Sequence, residues 1–301
     1  MNHVNKTDSC ELYSRYRTEI EELMKNEIPF FGEDTPVRKA CEYALINGGK
    51  RFRPLITLLV GEALNPEADV SIAALAVEYF HSASLVADDL PCMDDDDMRR
   101  NKPSVHKTFG EPMALLVTYA LIAEGYGCLC KNAVIIEKSN LSFSSRSSEI
   151  CTAALENSTF NTGLHGATGG QFMDIAPPDL TLETVKEIIR KKTGSLFEIS
   201  FVIGWLYAGG NFEKLSLVKK AAGHFGLAFQ IADDIGDREQ DILNERKVNV
   251  ASLFGLEKAE ELLEQELAGY LSSLELLGIN TPALQNLAHL LKSEMCRLPG
   301  I

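Results

Sequence analysis

Asp88-Asp89-Leu90-Pro91-Cys92-Met93-Asp94, running straight on through Asp95, Asp96, Asp97, Met98, Arg99 and Arg100, is the stretch on which the fold turns. Six carboxylates fall within its first ten residues and repel one another. An apolar run precedes them at helical spacing: Ile72, Leu75, Ala76, Tyr79, Ala83, Leu85, Val86. Asp88 and Asp89 therefore sit near a helix C-terminus, where the macrodipole is already negative. Leu90 stands before Pro91, is pushed out of α geometry, and predicts a break there. Carboxylates gathered at that end need cations. Oxygen-only ligands with two arginines alongside point to Mg²⁺ shared with phosphate oxygens, because Mg²⁺ takes few protein ligands and fills its shell with water and substrate. A solvated acidic loop is the plain alternative. An EF-hand is excluded, since the Asp-x-Asp-x-Asp-Gly spacing is absent.

A second stretch answers the first. Phe229-Gln230-Ile231-Ala232-Asp233-Asp234-Ile235-Gly236-Asp237 again ends an apolar run in aspartates. Asp233 and Asp237 are four apart and share a helix face. Two such clusters on facing helices would cage several Mg²⁺ ions and a diphosphate, which surface decoration does not explain.

The chain has 301 residues, 45% of them hydrophobic, enough for a sizeable core. No apolar stretch reads as a bilayer span, and Met1 to Lys6 lacks the regions of a signal peptide. The expectation is a cytoplasmic protein without a stable membrane anchor. Seven scattered cysteines suggest reduced thiols. A net charge of −14 argues against nucleic acid as a partner.

Nearly everything else reads as helix. Residues 8–26 form an amphipathic helix, Thr35-Pro36 opens a second, and Gly48-Gly49 closes it. A short helix starts at Pro54 and ends before Pro66, and the helix bearing the first cluster runs from about Asp69. Phe109 to about Val134 is apolar nearly all round, as a buried central helix would be. Ser139 to Ser148 reads as a loop, Glu149 to Asp174 as helix, and Thr181 opens a helix ending near Gly209-Gly210. A helix from Asn211 delivers the second cluster, and two more close the chain, the last begun by Thr281-Pro282. The expectation is an all-α bundle, one domain over residues 1–301, with its cavity between facing helices.

Gly48-Gly49-Lys50-Arg51-Phe52-Arg53-Pro54 combines a flexible backbone with three cations. By itself it reads as a helix cap with dipole-complementing bases. Beside two acidic clusters it becomes a second anion site.

The order of these motifs resembles the trans-isoprenyl diphosphate synthases, the farnesyl and geranylgeranyl diphosphate synthase family. The likeness spans essentially the whole chain and includes Gly169-Gly170-Gln171-x-x-Asp174, Lys192-Thr193-Gly194, and Lys247 before Gly255-Leu256-Glu257. It implies a helical homodimer that condenses isopentenyl diphosphate with allylic diphosphates, using Mg²⁺ as cofactor. By that likeness Asp88, Asp94 and Asp233 hold the metals, with Asp89, Asp234 and Asp237 in support. Lys50, Arg53, His81 and Arg100 bind isopentenyl diphosphate. Arg99, Lys192 and Lys247 hold the allylic diphosphate, and Thr193 and Gln230 turn oxygens toward the carbocation. Gln171 and Asp174 sit near the metals, unless close backbone approach alone explains the glycines. Small residues at Ala83 and Ser84, with Phe80 one turn deeper, imply a C20 product, with C15 as runner-up. His106, His165 and His224 are read as structural.

Three features depart from the family pattern. Thr118-Tyr119 replaces a Gly-Asp pair, Ala87 replaces a histidine, and the loop after Asp237 is short and lacks a Gly-Lys element, for which Arg246-Lys247 would compensate. A terpene cyclase is disfavoured by the complete Asp233-Asp234-x-x-Asp237, and a non-catalytic subunit by both intact clusters.

Overall fold

The Thr35 hydroxyl accepts a hydrogen bond from the Arg38 N–H at 3.3 Å and opens α2 (Pro36–Leu45), which follows α1 (Lys6–Glu27). In this computed structural model, which describes residues 6–238 and 248–292, the predicted starts and stops of the first four helices hold closely. Gly48 and Gly49 both take positive φ, 80° and 121°, and end that helix. The next are α3 (Phe52–Leu64) and α4 (Ser71–Asp88), the latter stopping just before the break expected at Leu90. Asn132 fixes the start of α4 by accepting from the Ala73 N–H and donating to the Asp69 carbonyl, each at 2.9 Å.

The chain continues through α5 (Val105–Phe109), α6 (Glu111–Glu137), α7 (Ser147–Thr162), α8 (Ala167–Ile175) and α9 (Leu182–Ile189). It ends with α10 (Ser195–Tyr207), α11 (Leu215–Gly236), α12 (Val250–Phe254), α13 (Leu256–Leu277) and α14 (Pro282–Lys292). Among the described residues the only strands are Met98–Arg99 and Lys102–Pro103, paired antiparallel in the turn after the first acidic cluster. The fold is all-α, and one apolar core runs from Tyr16 on α1 to Leu291 on α14.

Two helices expected as continuous are not. The predicted Glu149–Asp174 helix breaks between α7 and α8 at Gly163–Gly166, where two glycines raise the backbone entropy cost of staying helical. The helix opened by Thr181 stays wound to Tyr207 but changes pitch, because Arg190–Gly194 forms a π turn between α9 and α10. π turns are costly and tend to mark functional sites.

The buried centre is α10, not α6. Every residue of α10 except Glu198 is buried, against α3, α4, α6, α7 and α11. By contrast α6 packs along α4 yet leaves Leu115, Leu116, Tyr119, Val134 and Ile135 exposed. An apolar helix has the same sequence signature whether it is buried or waits for a partner. The reading that no stretch could span a bilayer also needs correcting. α6 is long and apolar enough to do so, by length and composition alone.

Candidate active site

A cavity of about 1040 Å³ opens where α4, α11 and the π turn converge. Asp88, the last residue of α4, and Asp233, in the last turn of α11, both line it. The turn at Pro91 curls back, so the Asp94 N–H bonds the Asp88 carbonyl at 2.9 Å and the Asp95 N–H bonds that of Leu90 at 3.1 Å. This brings the Asp94 backbone against that of Asp88, while the Asp94 side chain is exposed and, like those described next, outside the cavity lining. Burial pushes the Asp88 carboxyl up to about 6; Asp94 and Asp89 push the same way, and Lys192 and Arg99 oppose them. An acid held up this way in a pocket is short of positive charge.

The second aspartate of each pair turns away from the cavity. Asp89 is buried and accepts from Arg99, through Nε at 2.8 Å and through Nη2. Arg99 Nη2 also reaches Asp96 at 2.9 Å. Asp234 is buried and accepts from Gln230 Nε2 at 2.9 Å and from the Val250 N–H at 2.7 Å. Neither belongs to the cavity lining, because protein donors already claim these carboxylates. Asp237 caps the end of α11, exposed and likewise outside the lining. Further round the first loop, ligand atoms of Asp95, Asp97 and His106 lie within 4.8 Å of one another.

The basic side is drawn together as expected. Lys50, Arg53, His81 and Arg100 all line the cavity. Gly49 explains how Arg100 gets there: a Cβ on residue 49 would lie 2.5 Å from the guanidinium carbon, and Arg100 Nη1 donates to the Gly48 carbonyl. His81 Nε2 is 3.3 Å from Arg53 Nη1. Burial, then the charges of Arg53 and Arg100, hold the imidazole well below its usual range, so it is neutral at pH 7. Burial also lowers Arg53, to about 10. Arg51, grouped by sequence with these cations, also lines the cavity but is spent in a buried ion pair with Glu78. A glutamate inside an apolar helical run was the available signal for that pair, since a buried charge demands a partner.

Lys192 and Thr193 reach the cavity from the π turn. Gly170 lets α8 lie against this turn, because a Cβ there would be 2.2 Å from the Lys192 backbone nitrogen. Close approach therefore does account for this glycine. Lys192 Nζ pairs with Asp174, and the Gln171 amide lines the cavity, buried, with neither polar atom bonded to the protein. The Thr193 hydroxyl donates to Gln230 Oε1 at 2.8 Å. Lys247 and Arg246 lie outside the described residues.

The apolar end is lined by Phe80, Ser84, Thr118, Ile122, Thr162 and Phe172. Ala83 does not reach it, being buried in the core on another face of α4. The Phe80 ring lies against Gly125, where a Cβ would be 2.5 Å away, and beside Tyr126 at 5.0 Å between centroids. Of the Thr118-Tyr119 pair that departs from the family pattern, Tyr119 is 66% exposed and outside the lining, while Thr118 lines the cavity. The walls from α7 and α8 were not read from the sequence. Phe172 and Ile175, three apart on α8, were the signal. The three histidines read as structural have protein neighbours: His106 bonds Ser104, His224 bonds Glu266 at 2.6 Å, and His165 stacks on Phe160.

Residues 34–250 match the polyprenyl synthetase family. The chain is 35% identical over 262 residues to geranylgeranyl pyrophosphate synthase 4 of Arabidopsis thaliana, covering 82% of this chain and 67% of that protein. It is 32% identical over 282 residues to heterodimeric geranylgeranyl pyrophosphate synthase large subunit 2 of the same plant, covering 88% and 72%. Its fold superposes on a geranyltransferase from Legionella pneumophila with a TM-score of 0.82 at 29% identity, over 97% of this chain and 99% of the other. With two acidic helix ends and a basic pocket on one cavity, and a match over this much of its length, the chain belongs to the polyprenyl synthetase family.

Proposed function

We propose that the chain joins isopentenyl diphosphate head-to-tail to an allylic diphosphate and makes an all-trans C20 diphosphate. The observation that carries this reading is the shared cavity: Asp88 and Asp233 line it together with Lys50, Arg53 and Arg100. One acidic pair of helix ends and one cationic pocket suit two diphosphates, one metal-bound and one bound directly.

Lys50, Arg53 and Arg100 hold the isopentenyl diphosphate, the arginines by their bidentate forks. Neutral His81 supports Arg53 without adding charge repulsion. Lys192 and Arg99 orient the allylic diphosphate. The oxygen-only set of Asp88, Asp94 and Asp233, and the raised acid at Asp88, fit Mg²⁺, which when bound neutralises the leaving group. The allylic C–O bond breaks, the isopentenyl double bond attacks the allylic cation, and a proton passes to the departing diphosphate. Because Thr193 spends its proton on Gln230, it offers only lone pairs to that cation.

The hydrocarbon grows toward Phe80, past Ser84. Curated relatives named as geranylgeranyl pyrophosphate synthases support the same length. A relative named as a heterodimer's large subunit bears on assembly. The exposed apolar face of α6 at Leu115, Leu116 and Tyr119 suits a partner helix, and a second copy of this chain is the occupant we propose.

The test is the product profile of purified protein given Mg²⁺, isopentenyl diphosphate and, separately, the C5, C10 and C15 allylic diphosphates. A C20 product is expected. A C15 product would keep the reaction and move the floor above Phe80. Chains of C30 or longer, or no product from any primer, would overturn the reading.

A further inference from the structure

Asp234 is the buried end of a hydrogen-bond chain that reaches the cavity. The Val250 N–H donates to Asp234 Oδ2 at 2.7 Å, Gln230 Nε2 donates to Asp234 Oδ1 at 2.9 Å, and Thr193 Oγ1 donates to Gln230 Oε1 at 2.8 Å. The direction of every link follows from its ends. Both Asp234 oxygens accept, one from a backbone N–H and one from Gln230 Nε2, so the Gln230 amide presents Nε2 inward and Oε1 toward Thr193. The hydroxyl proton is then committed to Oε1. Thr193 and Gln230 line the cavity, but Asp234 does not.

We propose that Asp234 is a positioning residue, which sets the polarity of this chain so that Thr193 faces the developing cation with lone pairs and never with its proton. The inference rests on the condensation proposed above and deepens it. It separates the two adjacent aspartates: Asp233 faces the cavity, and Asp234 reaches it through Gln230 and Thr193. The anchor at Val250, with Asn249 Nδ2 donating to the Asp234 carbonyl at 3.0 Å, also ties the end of α11 to the start of α12.

Asp234→Asn reverses the chain. The Val250 N–H cannot turn, so the new amide must offer it oxygen and give its NH₂ to residue 230. Gln230 then flips, donates to Thr193, and turns the hydroxyl proton into the cavity. Preorganised dipoles aimed the wrong way cost turnover, here about 10²-fold in kcat with KM nearly unchanged. The double variant Asp234→Asn/Gln230→Glu exchanges donor and acceptor at the two positions. It lets Thr193 donate again at unchanged total charge.

The experiment compares wild type, Asp234→Asn and the double variant by kcat, by Mg²⁺ for half-maximal rate, and by direct binding of two unreactive ligands. One ligand is an ammonium analogue of the allylic cation tested with inorganic diphosphate; the other is its neutral carbon isostere. The single variant should lose the preference for the cation by about tenfold or more at unchanged Mg²⁺ requirement, and the double variant should regain it. A raised Mg²⁺ requirement in Asp234→Asn, an unchanged preference, or a double variant no better than the single would each overturn the inference. Failure of wild type to turn over or to prefer the ammonium ligand would instead overturn the functional reading beneath it.

Discussion

The two acidic helix ends use their paired aspartates in parallel ways that diverge at the second residue. At the end of α4, Asp88 faces the cavity and Asp89 is drawn back onto Arg99; at the end of α11, Asp233 faces it and Asp234 is drawn back onto Gln230 and Val250. The first inward partner is a charged arginine that also holds Asp96, so it braces the loop carrying Asp94. The second is a neutral amide whose other end meets Thr193. Repeated aspartates therefore do not mean repeated tasks. One carboxylate in each pair faces the cavity. Its neighbour supports a loop in one case and orients a hydroxyl in the other.

The largest effects should come from the two cavity-facing residues. Asp88→Asn and Asp233→Asn are each expected to lower kcat by at least about 10²–10³-fold. For Asp88 the pH behaviour gives a second readout. Its carboxyl is raised from 3.8 to about 6, so the fold favours the protonated form. That contribution is present below the ordinary carboxylate range and is lost as pH rises through about 6. At about 1.36 kcal/mol per unit it is worth about 3 kcal/mol at most, and Asp88→Asn should raise the melting temperature of metal-free protein at pH 7.5. In the proposed reaction Mg²⁺ must displace that proton. Below about pH 6 the Mg²⁺ needed for half-maximal rate should therefore rise about tenfold per pH unit in wild type. A lowered melting temperature in Asp88→Asn would mean the carboxylate is already neutralised by protein groups.

Much of this was legible because it rests on local chemistry. The break at Pro91, the cap at Thr35 and the apolar runs ending in aspartates depend on residues a few positions apart, and all appear where spacing puts them. What needs a distant partner was not legible. The π turn at Arg190–Gly194 lies against Gly170 on one side and Gly226 on the other, and no pitch change can be read from its own letters. Periodicity assigned α6 to the centre because it measures apolarity, not what covers it, and α10 is the helix that is covered. The reach of each aspartate was hidden for the same reason. Asp-Asp looks identical in both motifs until Arg99, Gln230 and Val250 are brought alongside.

A smaller effect separates Asp89 from Asp234. Asp89→Asn leaves a half-buried arginine with Asp96 as its remaining acid, and should destabilise the fold by about 1–3 kcal/mol, measured by urea unfolding. The loop carrying Asp94 loosens with it, so the Mg²⁺ requirement should rise severalfold while saturating kcat changes little. Asp234→Asn is expected to do the reverse. If both variants change the same parameter, the two inward aspartates share one task and the contrast between them fails.

The smallest effect is expected at Asp237. It lies four residues beyond Asp233, just past the end of α11, with its N–H bonded to the Asp233 carbonyl at 2.8 Å. Its side chain is nevertheless exposed and outside the cavity lining. A carboxylate at a helix C-terminus is also opposed by the macrodipole, by about 0.3–1 kcal/mol. Asp237→Asn should therefore change kcat by less than about threefold and slightly raise the melting temperature of the metal-free protein. Steady-state rates at low and saturating Mg²⁺, with a thermal melt, decide the matter. A loss comparable to Asp233→Asn, confined to low Mg²⁺, would mean that Asp237 turns inward once metal and diphosphate arrive. The second motif would then offer the metals two carboxylates, as the first is proposed to do with Asp88 and Asp94, and the end of α11 would resemble the end of α4 in task as well as in sequence.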